Sequence, residues 1–147
     1  MRASKACLEL IKRAEGVAKK PYRCPANLWT VGVGHLIGDG KSLPDSWNRT
    51  FSMEEIDGLL AQDVNRFERG VERLITVPMS QGCFDALVSF SFNLGLGTLQ
   101  RSTIRSALNR GDKEAALACL LKYNKAGGKI LKGLDLRRKA EAKLLLS

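Results

Sequence analysis

Between Pro21 and Ile37 this chain cannot be helical, and that window constrains the fold more than any other feature. Pro21 and Pro25 each lack a backbone donor and clash with a preceding helical turn. Leu28-Trp-Thr-Val-Gly-Val-Gly-His-Leu-Ile37 is β-branched, aromatic and broken by glycine, which reads as a short hairpin or small sheet. Elsewhere the apolar spacing is helical. Leu8, Ile11 and Val17 with Cys7, Leu10 and Ala14 make a stripe that predicts a helix over 4–15, stopped by Gly16. Ser52-Met-Glu-Glu55 is a capping box opening a long helix to about Ile75, with Pro78 beyond its end. Ser80 to about Leu94, Thr98–Asn109, Asp112–Tyr123 and Leu134–Leu146 read as further helices. Gly95-Leu-Gly97 reads as a turn, and Gly127-Gly128 with Gly133 as a loop before the last helix. One β-rich window among helices predicts an α+β fold in a single domain, 1–147. It divides into a small β-containing lobe over about 16–51, a connecting helix over about 52–75, and a helical lobe over about 79–147 that includes the N-terminal helix. A cleft between two such lobes is where ligands prefer to bind.

A chain of 147 residues, 44% hydrophobic, can bury a real core and is not disordered by composition. Lys and Arg number 24 against 15 Asp and Glu, for a net charge of +9. That balance favours an anionic partner: nucleic acid, acidic lipid or an anionic cell-wall polymer, with solubility alone as the plainer alternative. The basic residues fall in every segment with few aromatics among them, so nucleic acid is not expected as the partner. No apolar run approaches the roughly 20 residues that span a bilayer. The start, Met1–Arg13, carries charges where a signal core would lie. No stable membrane insertion and no recognisable export signal are therefore expected, although the chain could be the mature part of a longer product. Cys7, Cys24, Cys83 and Cys119 are scattered without a CxxC pair, so no metal and no cofactor is expected. Cys83 and Cys119 lie among apolar helical neighbours and read as small buried hydrophobes.

The chemistry gathers around the β-rich window. Cleaving a glycosidic bond needs one group to protonate the leaving oxygen and a second to direct the nucleophile. Glu15 is the candidate acid: it closes a helix where the dipole opposes its charge, and partial burial behind the apolar strand is expected. Cys24 lies between Arg23 and Pro25, and a neighbouring cation favours thiolate. A thiolate could act as base toward water or stabilise positive charge at the sugar, with Thr30 holding the water. Taken alone, Glu15 is more often a solvated helix-terminal residue, and Cys24 and Thr30 are more often structural. Gly32 and Gly34 mean either tight packing or close approach by a ligand. His35, the single histidine, is a candidate base. A structural histidine paired with Asp63 from the long helix is the favoured alternative.

Glu15, eight residues, Cys24, five residues, then Thr30-x-Gly32-x-Gly34-His35 resembles the phage-type lysozymes of glycoside hydrolase family 24. Gln62-Asp63-Val64, Phe84-Asp-Ala-Leu-Val-Ser-Phe90, Phe92-Asn-Leu-Gly95 and Gly133-Leu134 with Arg137-Arg138 and Glu141 follow in the family's order. The resemblance implies a lysozyme-like fold and a monomeric endolysin. Its reaction would be cleavage of the β-1,4 bond between N-acetylmuramic acid and N-acetylglucosamine in bacterial peptidoglycan. Glu15 would be the general acid, with Cys24 and Thr30 directing water. Most members carry Asp at Cys24, and a subgroup carries Cys. Gly34, His35, Phe92 and Asn93 would line the substrate site. Arg137, or alternatively Arg138, would pair with the catalytic Glu, and Asp63 would support His35. The protein would wait in the host cytoplasm until release to the periplasm and cell wall, drawn to an anionic envelope by its charge. Some relatives are locked by a disulfide from a cysteine two residues after the Glu; that position is Val17 here, so the lock is absent. Cys7 and Cys24 are expected as separate thiols. The alternative chemistry is a Cys24–His35 amidase or peptidase acting on the wall's peptides, which needs the two within hydrogen-bond reach.

Overall fold

The computed structural model describes every residue, Met1–Ser147. Helix α1 runs Lys5–Glu15, and Gly16 ends it. Gly16 takes a left-handed φ of 83° and its N–H returns to the Lys12 carbonyl at 2.9 Å, the closing bond of a glycine C-terminal stop. Val17, counted in the apolar stripe, lies beyond that stop and is 39% exposed. Strands β1 (Ala18–Arg23), β2 (Trp29–Gly32) and β3 (His35–Leu36) form one antiparallel sheet in that order. The sheet starts earlier than the prolines suggested. Pro21 is tolerated inside β1 because β1 is an edge strand with an irregular register between Ala18 and Tyr22. The loop that follows holds a single 3-10 turn, Asp45–Trp47, before α2 (Met53–Leu74). The capping box is formed: Glu55 N–H donates to Ser52 Oγ and Ser52 N–H to Glu55 Oε1, both at 3.1 Å.

Helix α3 (Gln81–Leu94) is buried on every side from Gly82 to Ser91, which marks it as a core helix rather than an amphipathic one. Ser80 caps it by accepting from Cys83 N–H at 3.0 Å. Three details differ from the sequence reading. Gly95 alone makes the break, and Gly97 lies inside α4 (Leu96–Arg101). The predicted helix over 98–109 is two, because Ser102 turns extended and caps α5 (Thr103–Asn109) through Arg105 N–H. The Gly127-Gly128 loop is a hairpin between β4 (Lys125–Ala126) and β5 (Lys129–Ile130). Both glycines have positive φ, 58° and 79°, as a two-residue hairpin turn requires. Asp112 caps α6 (Lys113–Leu121) as expected, and α7 (Lys132–Leu145) closes the chain.

The chain divides into two compact units, one of Met1–Leu10 with Val64–Ser147 and one of Ile11–Asp63. In the first, Phe84, Leu87, Phe90, Leu99, Ile104, Leu120 and Leu145 are fully buried. In the second the buried apolar residues are Ile11, Val31, Val33, Ile37, Phe51, Ile56 and Leu60. No helix is long and apolar enough to cross a membrane.

Candidate active site

Glu15, Cys24 and Thr30 all belong to the Ile11–Asp63 unit. Glu15 is the last residue of α1, joined to β1 by Gly16 and Val17. It is exposed, so the burial expected for it is absent: Gly16 ends the helix before any strand can cover the carboxylate.

Cys24 follows β1 and opens a turn. Its N–H donates to the Leu28 carbonyl at 2.9 Å, and Asn27 N–H returns to the Cys24 carbonyl at 2.7 Å. Asn27 sits at a φ of 61°, which asparagine tolerates better than most residues. The turn aims donors at the sulfur. The Leu28 N–H, then the Thr30 hydroxyl and the Ala26 N–H, hold the Cys24 thiol below its ordinary range against a smaller opposing effect of burial. The sequence reading credited Arg23. Instead the Arg23 guanidinium lies over the Trp29 ring, 4.7 Å from its centre, and on the Asn27 side-chain oxygen at 3.3 Å.

Thr30 is 5% exposed, and its hydroxyl also donates to the Leu28 carbonyl at 3.0 Å. Thr30 pairs with Tyr22 across the sheet, so Tyr22, Thr30 and Cys24 share one face.

His35 pairs with Val31, one residue along from Thr30, and so sits on the opposite face. Its Nδ1 lies 2.8 Å from Asp63 Oδ2, and its ring stacks on Trp47 with centres 5.8 Å apart. The His35–Asp63 pair is thus formed on the sheet face opposite Thr30. The Cys24–His35 dyad is not assembled. The two glycines divide: a side chain at Gly32 would meet Ile56 at 3.3 Å, while Gly34 is exposed with open space around it.

The remaining sequence candidates lie in the other unit. Phe92 is half-buried against Phe67, ring centres 5.4 Å apart. Asn93 Oδ1 accepts from Arg138 Nη2 at 2.7 Å, which leaves its amide N–H groups as the donors it can offer outward. Arg137 donates to the Ser89 carbonyl at 3.0 Å and to Glu141 at 3.3 Å. Arg138 also pairs with Glu141 at 2.8 Å. Burial pushes the Glu141 carboxyl up, and the two guanidiniums and the Ser89 hydroxyl pull against it. Sequence reading found the two arginines with Glu141 and, in a separate motif, Ser89, but not the hydrogen bond that joins Ser89 to Glu141 across 52 residues. It also missed Trp47 beside His35. All four cysteines are free, and Cys7 is buried with its thiol pushed up to about 12, chiefly by burial.

The phage lysozyme family model matches residues 12–141. The chain is 40% identical to an endolysin of Bacillus phage B103, over all of this chain and 55% of that protein. It spans about half the length of such Bacillus phage relatives. It is 36% identical to an endolysin of Acyrthosiphon pisum secondary endosymbiont phage 1, over 100% of this chain and 99% of that one. Among solved structures, a lysozyme variant of Salmonella phage P22 superimposes with a TM-score of 0.88 at 33% identity, covering 100% of this chain and 99% of that one.

Proposed function

The chain belongs to the phage lysozyme family, and on that footing we propose that it is a muramidase acting on peptidoglycan. Its bond would be the β-1,4 link from N-acetylmuramic acid to N-acetylglucosamine. Glu15, exposed at the end of α1, protonates the leaving glycosidic oxygen. Cys24 stands where hydrolysis of this kind ordinarily asks for a second carboxylate. The observation that carries the reading is the hairpin that sets Cys24 beside Thr30: the Cys24 N–H and the Thr30 hydroxyl both bond the Leu28 carbonyl, at 2.9 and 3.0 Å. The Leu28 N–H, first among the groups around the thiol, holds it below its ordinary range, the direction that favours an anion in the carboxylate's place. Thr30 Oγ1 has lone pairs free to accept from a water, and the adjacent thiolate takes that water's proton as it attacks the sugar. Gly34 leaves an open approach on the same unit.

The test is release of reducing ends from purified sacculi, with turbidity of permeabilised Gram-negative cells as the second readout. Glu15→Gln removes the acid and should cost about 100-fold or more. Lysis at the wild-type rate by that variant would sink the proposal. Cys24→Asp should keep a substantial part of the activity and Cys24→Ser should lose most of it. Full activity in Cys24→Ala would mean that the thiol only packs.

A further inference from the structure

The +9 charge is not spread over the molecule. The Ile11–Asp63 unit holds 7 of the 24 basic and 7 of the 15 acidic residues, so the other unit carries the whole excess. Within that unit the excess gathers at the C-terminal end. After Glu114 the only acidic residues are Asp135 and Glu141. Glu141 is fully buried between two arginines, and Asp135 is bonded to Lys139 and Asn124 at 2.8 and 3.0 Å. Lys122, Lys125, Lys129, Lys132, Lys139 and Lys143 are all exposed.

Aliphatic side chains stand among these lysines. Every residue from Lys125 to Gly133 is exposed, an arc that includes the whole β4–β5 hairpin. Ile130 is 62% exposed and Leu131 44%. The pattern continues along α7, where Lys132, Leu136, Lys139, Lys143 and Leu146 follow at alternating steps of four and three, one face of the helix. Leu136 is 57% exposed and Leu146 61%. A polyanion would use the lysines and leave four large aliphatic groups in water. A lipid surface uses both: lysine heads reach anionic headgroups while aliphatic tips enter the interface.

We propose that the β4–β5 hairpin and the outer face of α7 form a peripheral docking surface for a bilayer rich in anionic phospholipid. The contact is interfacial, since no helix of the chain can span. It shares no residue with the unit that holds Glu15, Cys24 and Thr30. It does not depend on the muramidase reading.

The test is co-sedimentation of the whole protein with vesicles of phosphatidylcholine alone and of phosphatidylcholine mixed equally with phosphatidylglycerol. Wild type should partition to the mixed vesicles only. Each lysine near such a surface is worth about fivefold in partitioning. The combined Lys125→Glu, Lys129→Glu and Lys132→Glu variant should therefore lose roughly 100-fold or more. The pair Ile130→Ser and Leu131→Ser keeps every charge and should still lose several-fold. All five side chains are exposed, so thermal melting should match wild type and rule out unfolding. Absence of wild-type binding to the mixed vesicles overturns the proposal. So does unchanged binding by the serine pair, which would mean plain adsorption to anions. Loss of binding to purified sacculi or to DNA in the charge variant, with vesicle binding intact, assigns the surface to another polyanion and overturns it as well.

Discussion

At the residue scale the decisive side chain is Cys24, and its chemistry is set by a turn rather than by a charge. The Leu28 N–H first, then the Thr30 hydroxyl and the Ala26 N–H, two to six positions along the chain, act to lower its thiol. Removing one should let the thiol rise toward its ordinary range. The check is the rate of Cys24 alkylation by iodoacetamide as a function of pH. Wild type should react from a lower pH than a free thiol, and Thr30→Val should move the midpoint upward, so that its rate at neutral pH falls. Superimposable profiles would remove Thr30 from the thiol's environment. Cys7 serves as an internal control, because a thiol pushed up to about 12 stays unreacted throughout. A depressed Cys24 was legible in the sequence, but its cause was not. Arg23 is adjacent in sequence, yet stacking on Trp29 takes it elsewhere, and nothing in residue type alone says where a backbone N–H will point.

At the element scale the caps were the most legible features and the breaks the least. Ser52 with Glu55, Gly16 and Asp112 act through bonds that span a few residues, so local sequence suffices. The split at Ser102 and the strand at Pro21 depend on tertiary surroundings that a local pattern does not carry. Glu55 shows how a cap should respond to pH. Arg49, bonded at 2.5 Å, and the Ser52 N–H hold its carboxyl at about 2, below the ordinary 4.5. A depressed acid stabilises the fold above its unfolded pKa, and that contribution fades as pH falls through the folded one. The melting-temperature gap between wild type and Glu55→Gln should thus be full at neutral pH and close between about 4.5 and about 2. A gap independent of pH would show that ionised Glu55 contributes nothing. Two helix glycines give an opposite pair of outcomes. Gly58 has open space at its Cβ position, so Gly58→Ala should raise stability by about 0.5–1 kcal/mol. In α3 a Cβ on Gly82 would meet the Leu144 carbonyl oxygen at 2.2 Å. Gly82→Ala should cost about 1–3 kcal/mol despite its better helix propensity, measured by urea unfolding.

At the scale of the whole molecule, the net charge and the proposed catalytic group lie in different units. Composition showed the excess of lysine and arginine; its position follows only when the residues are summed over the folded units. The unit with Glu15, Cys24 and Thr30 is neutral, so the proposed attraction to an anionic wall would act through the other unit. At physiological ionic strength the screening length is about 8 Å, short enough for location to matter as well as net charge. Two pairs of exposed substitutions separate these effects, because each pair lowers the net charge equally. Arg69→Glu with Arg73→Glu places the change in the basic unit, and Lys20→Glu with Lys41→Glu places it in the neutral one. Raising salt should raise the KM of wild type on sacculi and leave kcat nearly unchanged, since screening acts on encounter. The first pair should flatten that salt dependence and the second should keep most of it. Equal flattening by both pairs would show that total charge governs encounter, and a salt-independent KM in wild type would take electrostatic attraction out of the account altogether.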